Sequence, residues 1–260
     1  MKAIPQARIE LLLSASSLAL LIATWTWLST RGIVNPIFLP TPAAVWKAFQ
    51  IAIGAGYQGS QLHEHLLASL GRILTGFGLA CVLGIPLGLL MGLNSRLRAF
   101  FDPLIEFYRP LPPLALYTLL VMWLGIGDTS KVALLFLAGL PSLTISTLHA
   151  VRGVDPQLLR AAMTLGASRR QVFFYVVLPA CLPGICTGMR IALGFTYTVL
   201  VAAEIVAASA GIGWMIWDAS KFLLTDVVIM GLFVLGATGI ALDQFVRWGE
   251  RRITPWRHLA

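Results

Sequence analysis

Long runs of apolar residues recur along the sequence, and they constrain the fold more than any other feature. A helix that crosses a bilayer needs ~20 mostly apolar residues. The chain is 58% hydrophobic and only 12% charged, whereas a soluble globular chain is roughly 45–50% apolar and about 25% charged. We therefore predict an all-α polytopic membrane protein. Six spans are expected, at about 11–29, 73–93, 111–126, 132–150, 182–208 and 227–246.

The distribution of basic residues predicts the orientation, because Lys and Arg are enriched in cytoplasmic segments. With the N-terminus inside, thirteen basic residues fall in cytoplasmic segments and four in outer segments. Both termini are therefore expected in the cytoplasm. The net charge of +8 is scattered between apolar runs, which argues against a nucleic-acid surface. The outer residues are Arg31, Lys47, Lys131 and Lys221; the inner ones are Lys2, Arg8, Arg96, Arg98, Arg109, Arg152, Arg160, Arg169, Arg170, Arg247, Arg251, Arg252 and Arg257.

The N-terminal part differs from the rest of the chain. Its apolar run is longer than the core of a signal peptide, and it ends in Trp25-Thr26-Trp27, which is typical of a retained span. Thr41-Pro42 has the form of a helix start and predicts either an interfacial helix or an ordered loop with one helical turn. We expect residues 1–61 to form a span and outer loop, and residues 62–260 to form the main transmembrane domain with a short cytoplasmic tail.

The segment between spans four and five carries strong local signals. Asp155 and Pro156 predict a helix start, and Gly166 is placed to end that helix in a left-handed turn. Ser168 and Gln171 form a capping box that starts a second helix. The result is a helix–turn–helix on the cytoplasmic side. Two interpretations remain open on these residues: an amphipathic interfacial connector, or a docking element for a soluble partner.

The same segment resembles the coupling loop of ABC importer permeases, which is written E-A-A-x3-G-x9-I-x-L-P. Val176 replaces the isoleucine of that pattern, and Arg160 stands where glutamate is common. The resemblance implies that the loop, with Ala167 and Ser168 at its turn, inserts into a groove on an ATPase subunit. The matching positions are Ala161, Ala162, Gly166, Val176, Leu178 and Pro179.

Other motifs are similar to the nitrate/sulfonate/bicarbonate branch of these permeases. They are Ser69-Leu70-x-Arg72, Tyr108-Arg109-Pro110-Leu111-Pro112-Pro113, Trp123-x-Gly125-Ile126-Gly127, Val201-Ala202-Ala203-Glu204 and Arg252-Ile253-Thr254-Pro255-Trp256.

The resemblance implies a type I ABC importer permease fold in the inner (plasma) membrane of a bacterium. It implies a homodimer, two ATPase subunits, a soluble periplasmic or extracellular substrate-binding protein and surrounding lipid. The implied cargo is taurine or a related alkanesulfonate; nitrate, bicarbonate or a heterocyclic vitamin precursor is the alternative. A self-sufficient secondary transporter, which would show internal repeats, is the competing class.

No phosphate-binding loop of the form G-x-x-x-x-G-K-[ST] is present, so ATP is expected to bind to another chain. The nearest fragment, Gly125–Lys131, is interpreted as a helix boundary with Asp128, Thr129 or Ser130 as the cap. His63 and His65 are expected in a solvated loop rather than a metal site. We expect no cofactor, no metal and no catalytic residue.

Ionisable residues within spans are costly and mark functional candidates. Their depths permit two ion pairs, Arg72 with Glu204 and Arg190 with Asp243; the alternative is that each side chain reaches the nearest interface. A turn at Gly211 and Gly213 that dips back towards the membrane is a candidate gate. The prolines beside Arg109 indicate a hinge or a simple helix start. The full set of pathway or gate candidates is Arg72, Arg109, Arg190, Glu204, Gly211, Gly213 and Asp243.

Overall fold

The computed structural model describes residues 6–255, which fold into α-helices without any β-strand among them. This confirms the predicted all-α fold class. A short π-helical stretch, Phe173–Val177, joins two of the helices into one continuous rod. The helices are α1 Gln6–Thr30, α2 Pro42–Gly54, α3 Leu62–Leu93, α4 Ser95–Tyr108, α5 Pro113–Leu124, α6 Asp128–Arg152, α7 Pro156–Thr164, α8 Arg169–Val172, α9 Leu178–Ala207, α10 Ile212–Lys221 and α11 Thr225–Ile253.

Within residues 6–255, five helical segments are long and apolar enough to cross a membrane. They are the helices α1, α3, α6 and α11 and the rod formed by α8, the π-helical stretch and α9. Helix α5 is apolar but has only 12 residues, which is short of the ~20 that a span needs. The six-span count depends on this helix and stays a prediction.

Three elements differ from the sequence-based expectation. Helix α3 begins at Leu62 rather than near residue 73, and α4 and α10 were not predicted at all. The start of α4 is capped by the Asn94 side chain, which accepts hydrogen bonds from the amides of Arg96 (2.9 Å) and Leu97 (3.4 Å). The predicted spans follow the apolar runs alone, whereas a helix tolerates polar residues where tertiary partners or caps satisfy them.

One compact unit comprises the described residues up to His63 together with Met215–Val234. The indole of Trp25 donates a hydrogen bond to the carbonyl of Pro40 (3.0 Å). Thr41 caps α2 by accepting from the amide of Ala44 (3.2 Å). This confirms the predicted helix start, and the helix that follows has 13 residues rather than a single turn. Burial, reinforced by a hydrogen bond to Asp218, raises the pKa of Tyr57 to about 12.

The second compact unit comprises Glu64–Trp214 and the residues from Leu235 onward. Helix α6 lies in its core, where buried apolar side chains from α3, α5, α6 and α9 pack together. Glycines let the helices approach closely: a Cβ on Gly88 of α3 would lie 2.5 Å from the carbonyl oxygen of Thr144 on α6. Small residues at such contacts are a common means of packing helices in a membrane. This unit contains all the candidate functional residues.

Candidate functional site

The helix–turn–helix predicted between spans four and five is present, and its first helix is α7. The Asp155 carboxylate accepts a hydrogen bond from the amide of Gln157 (2.8 Å), with Pro156 in the first turn. Both features satisfy the start of a short helix without help from the rest of the protein. The predicted cap is therefore confirmed.

Gly166 ends this helix in the left-handed conformation that the sequence predicts, with φ of +82°. The amide of Gly166 donates to the carbonyl of Met163 (3.0 Å), and that of Ala167 donates to the carbonyl of Ala162 (3.1 Å). These two bonds form a Schellman motif, which satisfies carbonyls that the end of a helix would otherwise leave free. The turn has a single well-defined geometry as a result.

Ser168 starts the second helix through the predicted capping box. The Ser168 hydroxyl accepts from the amide of Gln171 (3.4 Å), and the Gln171 side chain accepts from the amide of Ser168 (2.8 Å). After α8 the helix widens into the π-helical stretch and then continues as α9, which has Pro179 in its first turn. Leu178 and Pro179, the last matching positions of the family pattern, thus lie within one long helical segment.

One face of this loop is anchored and the other is free. Leu159, Phe173 and Leu178 pack against a buried cluster formed by Val151, Val154, Val177, Cys181 and Ile185. By contrast, Leu158, Met163 and Leu165 point away, and Leu165 is 89% exposed. Arg160 and Ala161 are exposed, while Ala162 and Ala167 are half-buried. The loop therefore presents an apolar tip on a rigid support.

A second group of candidate residues forms a buried polar cluster at the other end of α9. Arg72 lies 2.7 Å from the Glu204 carboxylate and 2.8 Å from Asp128. The Ser69 hydroxyl donates to the same oxygen of Glu204 (2.7 Å), and Lys131 lies 3.3 Å from Asp128. Glu204 is fully buried and Arg72 is 6% exposed. The two buried cations, Arg72 and Lys131, therefore each have a carboxylate partner, which charges removed from water require.

The turn at Gly211 and Gly213 closes directly over Glu204. The amide of Gly213 donates to the second carboxylate oxygen (2.8 Å), and the carbonyl of Ala210 accepts from Arg72 (2.7 Å). A Cβ on Gly211, whose φ is +135°, would lie 2.5 Å from the Glu204 carboxylate carbon. Only glycine fits at position 211. Through these contacts the structure brings together four of the candidate residues: Arg72, Glu204, Gly211 and Gly213.

Arg190 and Asp243 form the other ion pair that their depths permitted, at 2.8 Å. Arg247 contacts the second oxygen of Asp243 at 2.7 Å. The side chains of Arg190 and Asp243 are 29% and 37% exposed, and both line a cavity of about 210 Å³. The remaining candidate, Arg109, follows α4 and lines a separate cavity of about 200 Å³.

Two expectations about polar residues were wrong. His65 does not lie in a solvated loop: it is fully buried in α3, where its Nδ1 accepts from the amide of Gly211 (3.1 Å). None of Asp128, Thr129 and Ser130 caps α6, because the cap position is Gly127 without a side-chain hydrogen bond. Asp128 instead pairs with Arg72, a role that the shared predicted depth of the two residues could have suggested.

Comparison with known proteins places this geometry in a family. Residues 84–255 match a family described as the inner membrane component of binding-protein-dependent transport systems. The chain belongs to this family. It is similar to the taurine transport system permease protein TauC of Escherichia coli, with 44% identity over 248 residues that cover 95% of this chain and 90% of that protein. The putative aliphatic sulfonates transport permease protein SsuC of Bacillus subtilis is 35% identical, over 92% of this chain and 86% of that protein.

More distant similarities agree with this assignment. The bicarbonate transport system permease protein CmpB of Synechococcus elongatus is 37% identical over 72% of this chain and 68% of that protein. A chain of the MetNI methionine ABC transporter in an inward-facing conformation has a TM-score of 0.62 at 20% identity, over 75% of this chain and 94% of that chain. At that identity the likeness shows the fold.

Family membership confirms the broad prediction drawn from the sequence. The chain is a multi-pass membrane permease subunit of an ABC importer, and ATP hydrolysis belongs to another chain. The sequence-based resemblance to the nitrate/sulfonate/bicarbonate branch is also confirmed. A self-sufficient secondary transporter is excluded by the same finding.

Proposed function

We propose that this permease carries taurine or a related alkanesulfonate, and that it couples to its ATPase subunit through the loop from Asp155 to Pro179. The observation that carries the coupling role is the exposed apolar tip of that loop, with Leu165 at 89% exposure on a turn fixed by two caps and a Schellman motif. A rigid support with an exposed apolar end is suited to insertion into a groove, because little conformational entropy is lost on docking.

Arg160, Ala161, Ala162, Gly166, Ala167, Ser168, Leu178 and Pro179 are the residues assigned to this coupling loop. They divide into two roles. Gly166 and Ser168 set the turn, and Leu178 fixes the loop to the buried cluster. Arg160 and Ala161 are exposed on α7, where they are available to a partner.

The cargo assignment is supported by relatives that transport related compounds. The E. coli relative is a taurine permease and the B. subtilis relative a putative aliphatic sulfonate permease. The polar cluster around Glu204 is compatible with an anionic cargo. Glu204 has the only fully buried carboxylate among the described residues, and Arg72 neutralises its charge while Ser69 donates a hydrogen bond to it. The bicarbonate permease relative makes another small anion the second candidate.

The proposed assembly follows the ABC importer pattern. Two copies of this chain and two ATPase subunits form the transporter, and a soluble binding protein delivers the cargo. The role of the binding protein is supported by the family description, which names binding-protein-dependent systems. We propose six spans, with both termini and the coupling loop in the cytoplasm, on the thirteen-to-four distribution of basic residues. Residues 62–260 form the importer domain, which contains the matched region 84–255, and residues 1–61 are an N-terminal addition.

The orientation is tested by thiol labelling. A cysteine at position 165, in a chain whose Cys81, Cys181 and Cys186 have been replaced, should react with a membrane-impermeant reagent only from the cytoplasmic side. Labelling from the outside alone would reverse the proposed topology.

The coupling role is tested by Leu165→Glu. Because the Leu165 side chain is exposed, the substitution should leave insertion and folding unchanged. Docking would bury this side chain, and burying a leucine is worth ~1.5–3 kcal/mol, so ATPase binding should weaken by roughly tenfold to a hundredfold. Co-purification of the ATPase and cargo uptake should fall together, while Leu165→Met retains both. Normal ATPase recovery with Leu165→Glu would leave the loop as an interfacial connector.

The cargo is tested with the full transporter in proteoliposomes. We expect uptake of radiolabelled taurine or ethanesulfonate that depends on ATP and on the binding protein. Uptake of nitrate or bicarbonate with no uptake of any sulfonate would replace the cargo assignment and leave the permease role intact.

A further inference from the structure

A small cavity beside the start of α5 is lined by one cationic side chain and two hydroxyl groups. It has a volume of about 200 Å³, and its lining includes Tyr108, Arg109 and Ser142. Drug-sized ligands occupy cavities of roughly 300–1,000 Å³. A cavity of this size suits a smaller molecule.

Arg109 differs from the other arginines among the proposed pathway residues. The guanidinium of Arg72 is held by Glu204 and Asp128, and that of Arg190 by Asp243. Arg109 forms no salt bridge with any residue in the described part of the chain, and it is exposed. Its positive charge is therefore available to an anion, whereas the charges of Arg72 and Arg190 are already balanced.

Tyr108 supplies the second observation. Its hydroxyl is buried and has no hydrogen-bond partner among residues 6–255, although the great majority of buried polar groups are paired. Ser142, on α6, adds a second hydroxyl to the same lining. Two hydroxyl donors and a guanidinium match the oxygens of a tetrahedral anion, since charge-assisted hydrogen bonds to such oxygens are the strong ones.

The rest of the lining is apolar. Leu111, Pro113 and Phe195 contribute carbon surface to the cavity, and Pro113 is the first residue of α5. The start of a helix carries partial positive charge that also favours an anion. The cavity thus offers a polar, cationic part and an apolar part, as a small organic anion requires.

We propose that this cavity is a transit site for the sulfonate cargo within the permease. Arg109 binds the sulfonate by charge, and Tyr108 and Ser142 donate hydrogen bonds to its oxygens. Leu111, Pro113 and Phe195 contact the short alkyl stem. The inference rests on the proposed cargo, and it assigns a defined set of side chains to that cargo.

The direct test is equilibrium binding of radiolabelled taurine to the purified permease–ATPase complex without the binding protein. Wild-type complex should show saturable binding that unlabelled ethanesulfonate displaces and that uncharged ethanol does not. Arg109→Gln should weaken binding at least tenfold, and Tyr108→Phe about fivefold, which is the range for one hydrogen bond. In proteoliposomes with saturating binding protein, both variants should transport less taurine for each ATP hydrolysed.

Tyr108→Phe keeps the test independent of folding. The hydroxyl that it removes has no partner in the described chain, so the thermal stability of the complex should be unchanged or higher while taurine binding falls. Matched controls are Arg96→Gln, an exposed arginine of α4, and Tyr117→Phe, a tyrosine of α5 that is 1% exposed; neither lines the cavity. Both controls should bind and transport taurine normally.

Three results would overturn the site, and they differ from a failure of the cargo assignment. Wild-type sulfonate uptake with unchanged binding and coupling in Arg109→Gln and Tyr108→Phe would remove the cavity from the pathway while the cargo stands. The same holds if the controls are impaired as strongly. Copurifying phospholipid that is lost in Arg109→Gln would assign the cavity to the phosphate of a lipid headgroup. If the wild type takes up no sulfonate at all, the cargo proposal itself fails.

Discussion

Replacing Gly166 by valine puts a β-branched side chain at a position whose φ is +82°. A residue with a Cβ pays ~1–2 kcal/mol in this left-handed region, and a β-branched one more. Apart from Gly166 and its two chain neighbours, no atom lies within 4 Å of the added Cβ, so the penalty at the Cβ comes from the backbone conformation. If the turn relaxes instead, it loses the hydrogen bonds from Gly166 and Ala167, each worth about 0.5–1.5 kcal/mol. Either route disfavours the docking geometry by about 1–3 kcal/mol, which is roughly a 5- to 150-fold shift.

The assay compares ATPase pull-down and taurine uptake at matched permease levels in the membrane. Both should fall with Gly166→Val, while the amount of inserted permease stays constant because the turn is exposed. Asparagine adopts the left-handed conformation more readily than other residues with a Cβ, so Gly166→Asn should retain more of both activities than Gly166→Val. Equal and normal values for all three chains would refute the coupling role of the turn.

The other predictions concern charges and caps in the same unit. Glu204→Gln leaves Arg72 buried without its full countercharge and should lower the free energy of unfolding by ~3–5 kcal/mol. Asp128→Asn should lower it by less, because the Asp128 side chain is 65% exposed and water can partly replace its contacts with Arg72 and Lys131. Equal losses in thermal denaturation would contradict the burial argument. Arg160→Glu should leave the amount of ATPase recovered in a pull-down unchanged, since glutamate is common at the matching position in the family. A lower recovery would show that the arginine itself contacts the ATPase. Asp155→Ala removes the cap of α7 and should lower the local stability of that helix by ~1 kcal/mol. Amide hydrogen exchange in the first turn of α7 should become faster; an unchanged exchange rate would show that the cap is redundant.

Local chemistry explains which features of the loop could be predicted from the sequence. The caps at Asp155 and Ser168 and the left-handed turn at Gly166 each depend on residues within a few positions along the chain. Such signals act in the same way wherever the segment lies in the fold. The caps and the turn of this helix–turn–helix could therefore be predicted residue by residue.

The polar cluster around Glu204 depends on tertiary contacts and was only partly predictable. Depth along the spans suggested the pairing of Glu204 with Arg72, but nothing in the sequence indicates that His65 accepts a hydrogen bond from the Gly211 amide. Helix α10 was missed for the same reason. It starts immediately after the Gly211 turn, and the amide of Ile212 donates to Ser69 (2.9 Å), 143 residues away in sequence.

Helix α9 connects the two sites that the sequence could treat only separately. It has 30 residues, or about 45 Å at ~1.5 Å per residue, with the coupling loop at its first turn and Glu204 in its last. Ser69, Arg72 and Gly213 hold the Glu204 end through three hydrogen-bonded or ionic contacts with the Glu204 carboxylate. At the other end the π-helical stretch departs from the regular pattern, and such stretches commonly lie at functional sites. If the loop couples to the ATPase as proposed, its displacement meets a helix whose far end is held by the contacts of Glu204 and whose near end follows an irregular π-helical stretch.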